Sequence, residues 1–290
     1  MLQLENGQLI VELKQQGAEL TRIYNKETEL EYLWKADPAF WGRHAPILFP
    51  TVGRLVNDTY YVDEKAYHLG QHGFARDRGF EVIEQTDTSI VFSLVADEES
   101  KAIYPYTFAL RIRYTLEGNT VKVGYEVENM DTKRIYFSIG AHPAFNVPLL
   151  DGENFEDYYL DFHAEESMET LVLDGPYRSG EIKKLVPEKA QKLPLNYDLF
   201  ANDALIFEGL MADKISIRSH KHAHFVTVAF PNFPFVGIWT PKPGAPFLCI
   251  EPWFGVADSA GDPVEIRDKA GIEQLDPEAI FATEYEITLG

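Results

Sequence analysis

Period-two alternation of apolar and polar side chains is the feature that most limits how this chain can fold. From Phe108 it reads FALRIRYTL, with Phe108, Leu110, Ile112, Tyr114 and Leu116 on one face and Arg111, Arg113 and Thr115 on the other. The turn residues Glu117-Gly118-Asn119 follow, and then TVKVGYEVEN puts Val121, Val123, Tyr125 and Val127 inward. Two alternating runs across a short Gly-Asn turn predict a β-hairpin. The N-terminus repeats the pattern: Asn6-Gly7 divides a short strand from QLIVEL, and AELTRIYN runs into the turn-like NKET. Helical windows are few and short, one around Ala96–Tyr104 and one in PEKAQKL after Pro187. No βαβ spacing is present. With aromatics at 13% and frequent Gly and Pro punctuation, the pattern predicts an all-β fold, a large antiparallel β-sandwich with a few short helices. No linker, charge block or fixed-period repeat divides the chain, so residues 1–290 are expected to form a single domain.

Charge narrows the partners. Asp plus Glu number 46 against 26 Lys plus Arg, a formal charge of −20 that opposes binding to nucleic acid while leaving room for a local basic pocket. A lone cysteine, Cys249, excludes an internal disulfide or a cysteine cluster and fits a reducing compartment. The opening MLQLENGQLIVELKQQG lacks the order of a signal peptide, and the longest apolar runs, such as Ser89–Ala96, are far shorter than a membrane span. A cytoplasmic chain with no membrane partner is expected. No P-loop, dinucleotide fingerprint, HExxH, GxSxG or CxxC occurs, so no cofactor is expected, and no motif speaks to oligomeric state.

Three segments carry more chemistry than a scaffold needs. GQHGFARDRGF, from Gly70 to Phe80, gathers His72, Arg76, Asp77 and Arg78, and WGRHAPILFPTVGRL adds Arg43, His44 and Arg54. Such planar, multidentate donors suit hydroxyls, carboxylates or phosphates; a loop of surface charges is the plainer reading. In FSIGAHPAFNVPL, Pro143 predicts that the strand stops near His142, presenting a titratable ring where the sheet opens. A hydrogen-bonded core histidine is the alternative there. In the segment Phe230–Ser259, Glu251 interrupts the apolar run FLCI-E-PWFG. It is either a turn residue outside the sheet, announced by Pro252, or a desolvated carboxylate of raised basicity. Trp239, Trp253 and Phe254 offer flat faces for a sugar ring, although aromatics in a sandwich also serve as core. His220, His222 and His224 alternate in SHKHAHF and would share a face if the segment were a strand. Three imidazoles there could bind a metal, but no acidic or thiol residue adjoins them and no metal site is expected. Cys249, in an apolar strand, is expected to pack as a small hydrophobe.

Taken together, TVGRL with Arg54, HGFARD with His72 and Arg76, GAHPAFN with His142, NDALIF with Asp203 and IEPWFGVAD with Glu251 resemble the aldose 1-epimerases (mutarotases) of the galactose mutarotase-like fold, closest to their compact LacX-like bacterial branch. The resemblance spans nearly the whole chain. It implies a β-supersandwich holding a sugar in an open groove, with His142 as general acid and Glu251 as general base, and with Arg54, His72 and Asp203 on the sugar's oxygens. His72 is followed by Gly-Phe-Ala-Arg rather than by the double glycine of the larger mutarotases, a form similar to the hexose-6-phosphate 1-epimerases, in which Arg76, with Arg43 or Arg78, would meet a phosphate. Anomer exchange needs a base on the C1 hydroxyl and an acid on the ring oxygen, so this reading expects Glu251 ionised and His142 protonated when sugar binds. The implied partner is a small-molecule hexose or hexose phosphate. A non-catalytic sugar-binding domain and a metal enzyme using the histidine row are the competing readings.

Overall fold

The computed structural model describes residues 1–290. The predicted hairpin forms as read: Phe108–Glu117 pairs antiparallel with Thr120–Asn129, from Phe108 opposite Asn129 to Glu117 opposite Thr120. Gly118 turns the chain at φ +59°. Its inward residues are buried, as are those of Leu9–Leu13 and Leu20–Asn25 in the N-terminal meander. This hairpin is the middle of a nine-stranded antiparallel sheet that runs from an edge at Ala190–Pro194 to an edge at Glu81–Gln85. A second large antiparallel sheet is ordered Tyr177–Lys184, Glu169–Asp174, Leu205–Glu208, Phe235–Trp239, Phe247–Phe254, Ile139–Ala141, Ile47–Leu48. Residues of both sheets, among them Ile112, Val123, Ile238, Leu248 and Ile250, belong to one cluster of 65 buried side chains. That is the antiparallel sandwich expected from the alternation.

The middle strands of the second sheet, Phe235–Trp239 and Phe247–Phe254, are buried on both faces, and this positions the site. Along Phe247–Phe254, Leu248 and Ile250 enter the main core, whereas Phe247, Cys249 and Trp253 join two small clusters on the opposite face. Glu251 lies between Cys249 and Trp253 on that outer face, since strand side chains alternate. A strand covered on both sides loses its alternation and reads as a continuous apolar run. Glu251 is therefore no turn residue: it sits inside the strand, opposite Gly237, and is 1% exposed.

Of the two expected helices, one forms. Glu98–Ile103 is capped by Asp97, whose side chain accepts from the Ser100 backbone while Ser100 Oγ accepts from the Asp97 N–H. The PEKAQKL segment instead supplies the edge strand Ala190–Pro194, paired with Tyr158–Glu166. Local helix propensity is weak, and an available sheet edge overrode it.

Candidate active site

His142 and Glu251 meet because of register. Gly140 faces Trp253 and Ala144 faces Cys249 on the same neighbouring strand. That unbroken register across the His142-Pro143 interruption sets His142 directly opposite Glu251. Pro143 removes a backbone donor where ladder bonding stops, as its position suggested. Nε2 of His142 lies 3.2 Å from Oε2 of Glu251. Neither Oε2 of Glu251 nor Nδ1 of His142 has a hydrogen-bond partner.

The pair opens into a cavity of about 340 Å³ whose walls include His72, Arg54, Arg76 and Asp203. That is small for a ligand pocket, of the order that takes one compact polar molecule. Trp41 stacks on the His142 ring at 4.8 Å, and Trp239 meets the same ring edge-on at 5.5 Å. Trp253 forms the floor, anchored by its indole N–H to the Ala141 carbonyl at 3.1 Å. It fits because Gly140 and Gly237 carry no side chain: a Cβ on either would lie within 2.4 Å of the indole.

His72 enters from a tight loop. The Phe49 carbonyl accepts from both Phe74 and Ala75 N–H groups, and Gly73, at φ +69°, passes so close that a Cβ would lie 2.3 Å from that oxygen. The Gly53 N–H donates to Nδ1 of His72 at 3.1 Å. Nδ1 is thereby the acceptor, which leaves Nε2 as the protonated nitrogen of the neutral ring. His72 and Asp203 adopt φ of +66° and +81°. Left-handed backbone at a non-glycine residue costs of order 1–3 kcal/mol, which the surrounding loop contacts offset.

Burial governs the charges. It pushes the Glu251 carboxyl well above the ordinary carboxylate range, with Asp203 adding to the shift. It drives His142 down to about 3, reinforced by Arg76 and then Arg43. His72 falls well below the usual imidazole value from burial and from His142 and Arg76 nearby. Asp203 is raised by burial, with Trp239 and the Ala204 backbone opposing. In the sugar-free site the neutral pair is therefore favoured, its proton on Glu251. Desolvation penalises both charged forms and Arg76 repels an imidazolium, so the carboxylate–imidazolium pair expected with sugar bound is not the favoured form of the sugar-free site.

All six predicted site residues, Arg54, His72, Arg76, His142, Asp203 and Glu251, line this one cavity. The rest of the basic cluster lies off the cavity wall. Arg43 pairs with Asp77 at 2.8 Å behind Arg76, Arg78 is held by Asp97 and Glu99, and His44 lies on a separate groove of about 750 Å³. Arg43 and Arg78 do not line the cavity, but Arg43 lies close enough to act electrostatically on His72, Arg76 and His142. Phe254 faces away, against Phe233 and Phe281. The histidine row lies in a turn after Lys214–Ser219, not on a strand. His220 stacks on Tyr159, while His222 contacts Glu153 and Tyr158 and packs on the His224 ring at 5.3 Å. Cys249 is buried among Ala144, Ala245 and Phe247, as expected.

Two contributors escaped the sequence reading. Trp41 carried no signal beyond being an aromatic next to Arg43 and His44. Lys269, 4% exposed, looked like a surface charge, but its ammonium reaches the Asp258 carboxylate at 2.7 Å. Asp258 also accepts from Val56 N–H, and its own N–H donates to the Arg54 carbonyl. The buried pair thus ties down the segment bearing Arg54.

Comparison with known proteins agrees with this architecture. The family profile described as aldose 1-epimerase matches residues 1–261. The plasmid-encoded protein LacX of Lactococcus lactis subsp. lactis is 36% identical over 99% of both chains. A galactose mutarotase related enzyme from Lactobacillus acidophilus superposes with TM-score 0.94 at 37% identity, over 100% of this chain and 97% of that one. A galactose mutarotase-like protein from Lactobacillus casei gives TM-score 0.94 at 34% identity over 100% of both. With its sheets, its cavity and its relatives in agreement over nearly their whole length, the chain belongs to the aldose 1-epimerase family.

Proposed function

We propose that this protein interconverts the α and β anomers of a free hexose by acid–base ring opening and reclosure. The observation that carries the reading is the His142–Glu251 contact at 3.2 Å, two complementary titratable groups facing a cavity of sugar size. Opening the hemiacetal requires removal of the C1 hydroxyl proton and delivery of a proton to the ring oxygen, with cleavage of the C1–O5 bond. The aldehyde turns about C1–C2 and recloses from its other face.

The pair brings one proton to this exchange. Moving it from Glu251 to His142 gives carboxylate and imidazolium, and bound sugar supports that form by donating its C1 hydroxyl to the one and accepting at O5 from the other. Desolvation makes the carboxylate a stronger base and the imidazolium a stronger acid. On reclosure each group reverses its part. Trp41 and Trp239 pack on the imidazole ring, while Nε2–H of His72, the guanidinium groups of Arg54 and Arg76, and Asp203, all on the cavity wall, would hold hydroxyls.

Polarimetry or proton NMR of freshly dissolved α-D-glucose and α-D-galactose, and of their 6-phosphates, tests this. Free sugars are expected to equilibrate faster with protein, and the acceleration should fall by roughly 10²- to 10⁴-fold in His142→Ala and in Glu251→Gln. Acceleration of the 6-phosphates alone would keep the chemistry and move the substrate. Binding with no acceleration would replace the enzyme reading by a sugar-binding module.

A further inference from the structure

We propose that Cys249, His142 and Glu251 together form a site for a thiophilic divalent cation such as Zn²⁺, and that the bound ion blocks the acid–base pair. Cys249 precedes Glu251 by two residues on Phe247–Phe254, so both side chains lie on the face that His142 meets from the next strand. One ligand atom from each lies within 4.8 Å of the others, and all three residues are buried. Glu251 presents an orphaned buried atom at this point, Oε2, which faces Nε2 of His142 at 3.2 Å. The thiol is free.

The donor set is thiolate, imidazole and carboxylate, which zinc takes at roughly 2.0–2.3 Å. Tetrahedral angles at those lengths set ligand separations of roughly 3.3–3.6 Å. The His142–Glu251 contact is already 3.2 Å, and modest rotation of the Cys249 and Glu251 side chains closes the rest. Three protein ligands leave a fourth position open. Sulfur selects zinc-like ions over magnesium or calcium. Charge favours occupation: thiolate and carboxylate together neutralise the dication, so the loaded site adds no net charge beside Arg76. Two protons leave as the ion enters, one from the thiol and one from the carboxyl.

Binding is independent of the enzymatic reading, whereas inhibition rests on it, and the test separates the two. The full-length protein, freed of metal with a chelator, is titrated with Co²⁺ and followed in the near ultraviolet. A sulfur-to-cobalt charge-transfer band is expected, removed by added Zn²⁺ and absent in Cys249→Ala and Cys249→Ser. Zn²⁺ should inhibit anomerisation and chelator should restore it. Both variants should retain basal turnover while needing at least about tenfold more Zn²⁺ for inhibition, since loss of a ligand weakens binding at least as much as loss of an outer-shell partner. Co²⁺ binding without the sulfur band, or unchanged Zn²⁺ inhibition in both folded variants, would overturn the site. A sulfur band in a protein that accelerates no sugar would preserve the metal site and reject the enzymatic reading.

Discussion

At the scale of single residues, the decisive quantity is where one proton resides. Glu251 is buried in the folded chain with its carboxyl raised well above the usual range. From about pH 4.3 upward an unfolded chain would release that proton while the folded chain keeps it, so Glu251 detracts from stability as pH rises toward its folded value. Glu251→Gln removes this penalty. Its melting temperature should equal or exceed that of the parent near pH 7, with the difference closing toward pH 4, even as turnover collapses. A variant less stable near pH 7, with the deficit shrinking toward pH 4, would mean that Glu251 is ionised and partnered in the native state. Catalysis should follow the same inventory. The pair gains a second proton only near the depressed value of His142, about 3, and loses its only proton above the ordinary carboxylate range. Coupled groups titrate as a unit. Hence kcat/KM should be flat through the ordinary carboxylate range, about pH 4–5, and fall at higher pH as the pair loses its proton, whereas a rise through that range would assign Glu251 a normal pKa.

At the scale of elements, the site depends on contacts several residues away from its reacting groups. Lys269 and Asp258 form an ion pair with side chains 1% and 7% exposed. Burial pulls the ammonium below its usual value and Asp258 raises it again. Removing one partner strands the other in the interior, so Lys269→Met should destabilise by about 3–5 kcal/mol in denaturant titration. The double variant Lys269→Met, Asp258→Asn should recover part of this. If the pair positions Arg54, kcat/KM will fall in the single variant at temperatures where it remains folded. Loss of stability with unchanged kinetics would confine the pair to scaffolding. The same scale explains the missed helix: PEKAQKL has helix-forming residues, but the edge of the nine-stranded sheet supplied backbone partners that a short solvated helix would lack.

Across the whole molecule, the net charge of −20 surrounds a cavity whose wall carries two arginines. A neutral sugar feels no long-range force from this field, so kcat/KM for glucose or galactose should stay constant as salt rises from about 10 mM to about 0.5 M. A hexose 6-phosphate approaches against the field, and screening should raise its kcat/KM. A fall with salt would show that Arg54 and Arg76 outweigh the surface for anionic substrates. The surface itself is laced with exposed ion pairs such as Arg22–Glu31 and Arg134–Asp276, whose individual contributions to stability are small. The 65-residue core carries that burden.

From the sequence alone came the elements with one wet face, because alternation records burial directly: the central hairpin and the N-terminal meander. The residue types that the chemistry requires were also legible, since His142, Glu251, His72 and Arg76 stand out against an apolar strand or an acidic chain. Strands buried on both faces leave no alternation, and there Glu251 remained ambiguous between a turn and a buried carboxylate. Only the tertiary structure decided that. It set His142 opposite Glu251 through sheet register, brought Trp41 over the imidazole, turned Lys269 inward and tied Arg78 to Asp97 and Glu99. It also pushes the Glu251 carboxyl up and the His142 imidazole down, because a pKa is set by the solvent and charges around a group, and those neighbours come from strands far apart in the chain.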